Sequence, residues 1–428
     1  MQESSYWQSS AEFPVLETGR TLPTQIDIAI IGGGYTGLAA ARELAMQGAR
    51  VAVFEARTFG WGASSRNGGQ VLTGTKLAAG ALLKKYGKEV AQQLWRNSLE
   101  CIAYIEALVK EEQIDCEFIR CGHLELAYKP SHFQAYEADA ELLSREFNHP
   151  VRIVQKKDLR QEVGSDAYHG GLVDEASAGV HPAKYAAGLM RAALKHGAQL
   201  FDHAPVSQVM PQGDGSFAVR IGKHKLRAHE VIVATNGYTG RATPDLQRKI
   251  VPIGSYIVAT EPLAHDIVDV LIPKRRMIYD SKNFLYYWRL SSDNRLIFGG
   301  RASFVPETPN TIRESAQVLR KSMIEVYPQL AHTQIDYAWG GTLGFTFDLL
   351  PHAGQTAQGV HYALGCGGHG VAMLSYLGAC LARRVLGDTD DNPLFNLPFP
   401  SAPLNLYTGN PWFLPFVGLY YRVLDWMR

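Results

Sequence analysis

In "IDIAIIGGGYTGLAAARELA", residues 26–45, a short apolar run ends in three glycines and passes straight into alanine- and leucine-rich sequence. The run is β-branched and brief, which predicts a buried parallel strand. Beyond the glycines, Leu38, Ala41, Leu44 and Ala45 recur at helical spacing, and Gly48 is a suitable stop. "VAVFEA", residues 51–56, reads as the next strand. The order strand, glycine turn, helix, strand predicts a nucleotide-binding unit. In Gly32-x-Gly34-x-x-Gly37 the first glycine permits the tight turn and the second admits a pyrophosphate to the backbone. The third lets helix and strand pack closely, and the helix N-terminus offers free N–H groups. Glu55 ends the second strand 18 residues after Gly37 (55 − 37), where a carboxylate accepts hydrogen bonds from a ribose diol.

This motif does not separate NAD from FAD, because both carry adenosine pyrophosphate. The loop that follows can. "WGASSRNGGQ", residues 61–70, has little to offer a core. Ser64, Ser65, Arg66 and Asn67, then Gly68 and Gly69, present hydroxyls, backbone donors and one cation. Such groups suit the longer path of a ribityl chain and ring beyond the pyrophosphate. A third glycine segment, "GCGGHG" at 365–370, again lies between strand-like and helix-like sequence.

The remaining sequence is mixed strand and helix without an internal repeat. The chain has 428 residues, 46% hydrophobic and 19% charged, enough for two or three domains. Net charge is +1 with no basic run, which argues against nucleic acid as a partner. Five cysteines without a CxxC pair fit reduced thiols better than a disulfide framework or a zinc site. No signal peptide is read at the N-terminus, and no stretch reaches the roughly 18 apolar residues of a membrane span. A cytoplasmic protein is expected, with the aromatic tail at 411–428 covering its own chain.

"DIAIIGGGYTGLAAARELA", "FEA" and "GWGASSRNGGQ" together resemble the D-amino-acid oxidase and sarcosine oxidase superfamily of FAD enzymes. "SSYWQSS", "IDCEFIRCGHLELA", "VHPAKYAAGL", "IVATNGYTG", "LYYWRLSSDNRLIFGG" and "GGHGV" resemble its bacterial gamma-glutamylputrescine oxidase branch. The resemblance implies FAD, with the Ser-Arg-Asn-Gly-Gly loop on its flavin side. It sets the third glycine segment against the flavin ring, where a helix N-terminus stabilises negative charge on the reduced ring. The expected cofactor-binding residues are Gly32, Gly34, Tyr35, Thr36, Gly37, Glu55, Ala56, Ser64, Ser65, Arg66, Asn67, Gly68, Gly69, Gln70, Val206, Ala234, Gly341, Gly367, Gly368, His369, Gly370 and Val371. His369, Tyr287 and Arg301 are the expected catalytic residues. Tyr256, Tyr287, Trp288 and Arg301 are the expected substrate contacts, with Arg301 pairing a distal carboxylate. His181 reads as a structural residue at a helix entry before Pro182.

The sequence departs from sarcosine oxidases at three positions. Gly341 stands where those enzymes tether FAD through cysteine, so a noncovalent cofactor is expected. Ala372 stands where they hold a substrate carboxylate with lysine, and Ile297 near the lysine that helps oxygen react. The expected fold is α/β: a Rossmann-type FAD domain (20–85, 151–250 and 335–400) and a substrate domain with a mainly antiparallel sheet (86–150 and 251–334). The tail 401–428 is expected to pack on the fold, against the substrate domain. The activity the resemblance implies is oxidation of the C–N bond of an amine or N-substituted amino acid, a gamma-glutamylputrescine-like substrate favoured, with electrons passed to oxygen or another acceptor. A dehydrogenase with a non-oxygen acceptor and a non-catalytic FAD-binding assembly protein are the alternatives. An NAD dehydrogenase is disfavoured by the second and third glycine loops.

Overall fold

The computed structural model describes residues 1–17, 19–300, 310–389, 391–402 and 406–426. Arg301 lies outside the described residues. The strand Gln25–Ile31 is the centre of the first sheet, parallel to His224–Val233 on one side and Val51–Phe54 on the other. Gln199–Phe201 extends one edge in parallel and His361–Leu364 the other, followed by antiparallel His352–Gln355. An antiparallel pair, Phe217–Ile221 with Val206–Pro211, branches from His224–Val233. Ile28 and Ile30 pack into one core, Ala29 and Ile31 into another. Burial on both faces is why this strand is apolar without alternation. The helices Tyr35–Met46, Pro182–Lys195 and Gly370–Val385 cover one face.

The second sheet has the order Ile335–Phe345, Val251–Thr260, Leu296–Gly300, Tyr286–Leu290, Met277–Asp280, His123–Leu126, Gly170–Asp174, Arg152–Gln155. All its pairs are antiparallel except Met277–Asp280 with His123–Leu126. Three of its strands differ from the sequence division, which drew 151–250 and 335–400 with the first sheet. Arg152–Gln155, Gly170–Asp174 and Ile335–Phe345 all pair in the second. Local periodicity distinguishes strand from helix but carries no information about which distant strand is the partner.

The two-residue period of this sheet sorts its side chains. Leu124, Val173, Tyr256, Val258, Ile278, Trp288, Phe298 and Ala338 face a core completed by the helix Thr311–Val326. Their chain neighbours His123, Asp174, Ser255, Tyr279 and Tyr287 face a cavity. This corrects two expected substrate contacts. Trp288 is fully buried, donates from Nε1 to the Tyr327 hydroxyl at 2.9 Å and stacks near Phe298. Tyr256 is buried in the same core, against Gly254 and Gly340, and lines neither large cavity. Each stands one residue out of phase with the cavity face.

The helix Leu414–Trp426 seats Leu414 beside Val251, Ile253 and Phe345. The Asp425 carboxylate accepts from the Asn283 and Phe284 amides at 2.9 Å each. Its other side leaves Phe416, Leu419, Tyr420 and Val423 exposed, so the tail only partly covers its own chain. Among the described residues no helix is long and apolar enough to cross a membrane.

Replacing Trp288 with alanine empties a filled core position and removes the donor to the Tyr327 hydroxyl, which keeps only its bond to the Leu271 carbonyl. Denaturant unfolding should show a loss of about 3–5 kcal/mol. Tyr287→Phe, on the cavity face, should cost about 1 kcal/mol or less.

Candidate active site

The first glycine turn walls a cavity of about 440 Å³ together with Tyr35, Thr36, Glu55, Ala56, Val206 and Ala234. Gly32 has φ +105°, and a Cβ there would stand 2.8 Å from the Ala234 carbonyl oxygen. A Cβ on Gly34 would stand 2.8 Å from Ser64 Oγ, which accepts the Tyr35 amide at 3.0 Å. Gly37 lies behind the turn, pressed on the Gly32 carbonyl, and serves packing rather than the lining. Glu55 accepts the Gly33 amide on one oxygen and the Arg57 amide on the other, each at 2.9 Å. A carboxylate has about four acceptor positions, so it keeps acceptor capacity for further donors.

The loop 61–70 divides its residues between lining and scaffolding. Ser64 and Asn67 line the first cavity; Arg66, Asn67, Gly68 and Gln70 line the second. Asn67 Oδ1 accepts the Gly69 amide at 2.8 Å while Nδ2 donates to the Ala63 carbonyl at 3.0 Å. Arg66 Nη1 donates to the Gly340 carbonyl at 3.2 Å and its guanidinium lies 4.7 Å from the Trp61 ring centre. Gln70 donates to the Ile278 and Trp288 carbonyls, fixing the loop to the second sheet. Two expected contacts are scaffolding alone. Ser65 is fully buried, donating to the Gly60 carbonyl and accepting from Gln8. Gly69, at φ +69°, would set a Cβ 2.3 Å from the Val180 carbonyl oxygen.

Arg289 completes this loop, and the sequence reading missed it. Its buried Nη1 donates to the Gly69 and Val180 carbonyls at 3.0 and 2.7 Å. The available signal was its phase: it stands two residues from Tyr287, on the same face of the strand. Asn236 plays the same part for the third glycine segment. Its Oδ1 accepts the Gly365 amide at 2.9 Å and its Nδ2 donates to Cys366 Sγ at 3.2 Å.

The second cavity, about 430 Å³, meets the first along Ala63, Asn67, Leu343, Gly368 and Val371. Gly367 and Gly368 have φ of +57° and +101°, and a Cβ on Gly368 would meet nothing within 4 Å. Val371 lines both cavities and Gly370 the first, so the N-terminus of Gly370–Val385 opens at the junction. His369 lines the second cavity; its Nδ1 is buried with no hydrogen-bond partner. Burial, with Lys76 adding to it, pushes its imidazole down to about 3, so it is neutral at physiological pH. The Tyr287 hydroxyl lies 3.1 Å from Ser255 Oγ, and its ring fills the space a side chain would take at Gly68 or Gly299. Gly341 faces the same cavity beside Arg66 and Ala63. His181 caps the helix Pro182–Lys195 by accepting the Lys184 amide at 3.2 Å.

The far wall was not foreseen, although "HLEL" at 123–126 alternates polar and apolar residues. The Glu125 carboxylate accepts from the Tyr279 hydroxyl at 3.2 Å, and that oxygen lies 3.4 Å from His123 Nε2. Burial pushes Glu125 up to about 7 and His123 below its usual range. Asp174 beside them accepts from Thr73 at 2.6 Å and His149 at 2.7 Å. Against the upward push of burial, those bonds and the nearby imidazoles hold Asp174 at about 2.

The sequence profile of the FAD dependent oxidoreductase family matches residues 27–384. The chain belongs to that family. Gamma-glutamylputrescine oxidoreductase of Escherichia coli is 32% identical over 431 residues, covering 99% of this chain and 98% of its own. A probable oxidoreductase OrdL of Haemophilus influenzae is 34% identical over 382 residues, covering 88% of this chain and 86% of its own. The crystal structure of glycine oxidase from Geobacillus kaustophilus superposes with a TM-score of 0.73 at 21% identity, covering 87% of this chain and 98% of that one. The fold is therefore that of the D-amino-acid oxidase-like FAD oxidoreductases, as the sequence resemblance implied.

In this FAD-dependent oxidoreductase the Asp174 network makes a stability prediction. A carboxyl depressed on folding stabilises the protein above its unfolded pKa and loses that contribution as pH falls through the folded value. Asp174→Asn should therefore be less stable than the native chain at neutral pH. The gap in thermal midpoint should close as pH falls from about 3.8 to about 2.

Proposed function

We propose that this oxidoreductase holds FAD without a covalent link and oxidises the C–N bond of an amine, with a gamma-glutamylated aliphatic amine favoured. One observation carries the reading: the N-terminus of Gly370–Val385 opens where the glycine-turn cavity joins a second, walled cavity. A long cofactor running from the first cavity to the junction would leave the second for substrate.

The residues present fit FAD. Gly32 and Gly34 would admit the pyrophosphate, and the spare acceptor positions of Glu55 would take ribose hydroxyls. Ser64, Asn67 and Gly68 would follow the chain toward the ring. Gly368, with open space where a side chain would be, and the Gly370 and Val371 amides would face it. The helix N-terminus stabilises negative charge there, and the unpartnered Nδ1 of neutral His369 gives a further polar contact. The chemistry FAD supplies when bound is two-electron oxidation of the C–N bond, after which the imine hydrolyses to aldehyde and amine. Tyr287, held through Ser255, would wall the substrate side. The full-length similarity to an enzyme named for gamma-glutamylputrescine supports that substrate class.

Four outcomes test this. Acid precipitation should leave yellow flavin in the supernatant, since Gly341 has no side chain to form a thioether; colour in the pellet contradicts noncovalent binding. Anaerobic mixing with amines, including a gamma-glutamylated diamine, should bleach the flavin absorbance. A full panel that leaves it oxidised would favour the assembly-protein alternative. Repeating the mixing under air and scoring hydrogen peroxide separates oxidase from dehydrogenase. Finally, the bleaching rate should rise with pH through an amine-like pKa, because an ammonium has no lone pair to drive oxidation.

A further inference from the structure

We infer that Glu125, with the Tyr136 and Tyr279 hydroxyls, forms a subsite for a second ammonium group at the far end of the substrate. The inference rests on the amine reading above and deepens it: the substrate class becomes an aliphatic amine that carries another cation.

The observations are geometric. Glu125 projects into the second cavity, while Leu124 and Leu126 on the same strand face the core. Its hydrogen bond from Tyr279 uses one of about four acceptor positions. Among the described residues no cation stands within salt-bridge distance of it, whereas Asp174 has His149 and Asp280 has Lys282. Tyr136 lies on the helix Pro130–Phe147, against Glu125 and Ser281, and is only 4% exposed. Its hydroxyl stands beside the Glu125 carboxylate and Ser281 but closes no hydrogen bond of ordinary geometry with either. Such a loosely held buried hydroxyl is costly, and a donor placed between it and the Glu125 carboxylate would satisfy both. Asp139, on the same helix, adds a second carboxylate to the cavity lining.

The missing partner must therefore donate and carry positive charge. An alkylammonium does both, with three N–H donors on a slim apolar stem. Leu72, Leu77 and Leu172 line the same cavity and suit that stem. The protein already holds one ammonium in this manner close by. Lys282 Nζ lies 3.6 Å from the Asp280 carboxylate and 4.1 and 4.7 Å from the ring centres of Tyr128 and Tyr286. Burial raises the Glu125 pKa to about 7, so an arriving cation is repaid by the ionisation it stabilises.

Calorimetric titration of the FAD-loaded protein with 1,4-diaminobutane and with butan-1-amine tests the subsite without turnover, if done anaerobically at low temperature after the flavin has been reduced. The two probes share a four-carbon chain and differ in the distal ammonium. The native protein should bind the diamine about tenfold or more tightly. In Glu125→Gln the two affinities should converge, and Glu125→Asp should retain part of the preference. Equal binding of both probes by the native protein overturns the subsite, as does a preference that survives Glu125→Gln. Failure of any amine to bleach the oxidised flavin would instead overturn the amine reading. Flavin absorbance and thermal midpoint of each variant report whether it folds. Should Glu125→Gln not fold, Tyr136→Phe, which removes only the loosely held hydroxyl, should narrow the preference; an unchanged preference there counts against the subsite.

Discussion

A Cβ on Gly37 would stand 2.0 Å from the Gly32 carbonyl oxygen, so the helix Tyr35–Met46 can lie on its strand only if this residue is glycine. Much of the site follows from that approach. It brings the helix N-terminus to the turn, where Tyr35 can donate to Ser64 and draw in the second loop. The same helix takes the helix Gly370–Val385 at close range, since a Cβ on Gly378 would lie 2.3 Å from the Thr36 carbonyl oxygen. The third glycine segment is thereby carried to the first. Three loops distant in sequence meet because two helices are allowed to touch backbone.

The second sheet is tied to this assembly by a buried cation. Arg289 leaves its strand on the cavity face and spends its guanidinium on backbone carbonyls of two other segments. Burial opposes its charge, and no carboxylate bonds to it among the described residues. The compensation comes from those carbonyls and from the Trp7 ring, 5.7 Å away. Both of those carbonyl bonds come from Nη1, while Nε donates to the Leu290 carbonyl at 3.2 Å, so a lysine, with one nitrogen, would leave that third carbonyl unserved.

The glycine turns, the helix starts and the acid at Glu55 were legible because each depends on local chemistry. Gly37 and Gly69 show the limit of that legibility. A glycine required by a neighbour's carbonyl looks, in sequence, like one required by a ligand. Trp288 and Tyr256 show a second limit. Both belong to aromatic strand sequence beside cavity residues, and only the pairing register decides which face each takes. Glu125 and Arg289 were missed for the converse reason. Each is an ordinary charged residue until strands from distant parts of the chain bring their partners beside it.

The second cavity is electrically uneven. The junction end has the open helix N-terminus, Arg66 and, behind the loop, Arg289. The far wall has Glu125, and Asp139 adds to the lining on the helix that carries Tyr136. Lys282 is spent on Asp280 and two rings, and Lys76, also in the lining, acts on both His369 and Glu125 and so offsets part of the wall without an ion pair to Glu125. In a partly dry cavity such a gradient is screened less than it would be in water. On the amine reading, it sorts the two ends of a substrate. A charged end is repelled from the junction and drawn to the wall, while an end that has lost its proton meets no such penalty at the junction. The protonation state required for oxidation is thus favoured by position, without a dedicated base beside the reacting carbon.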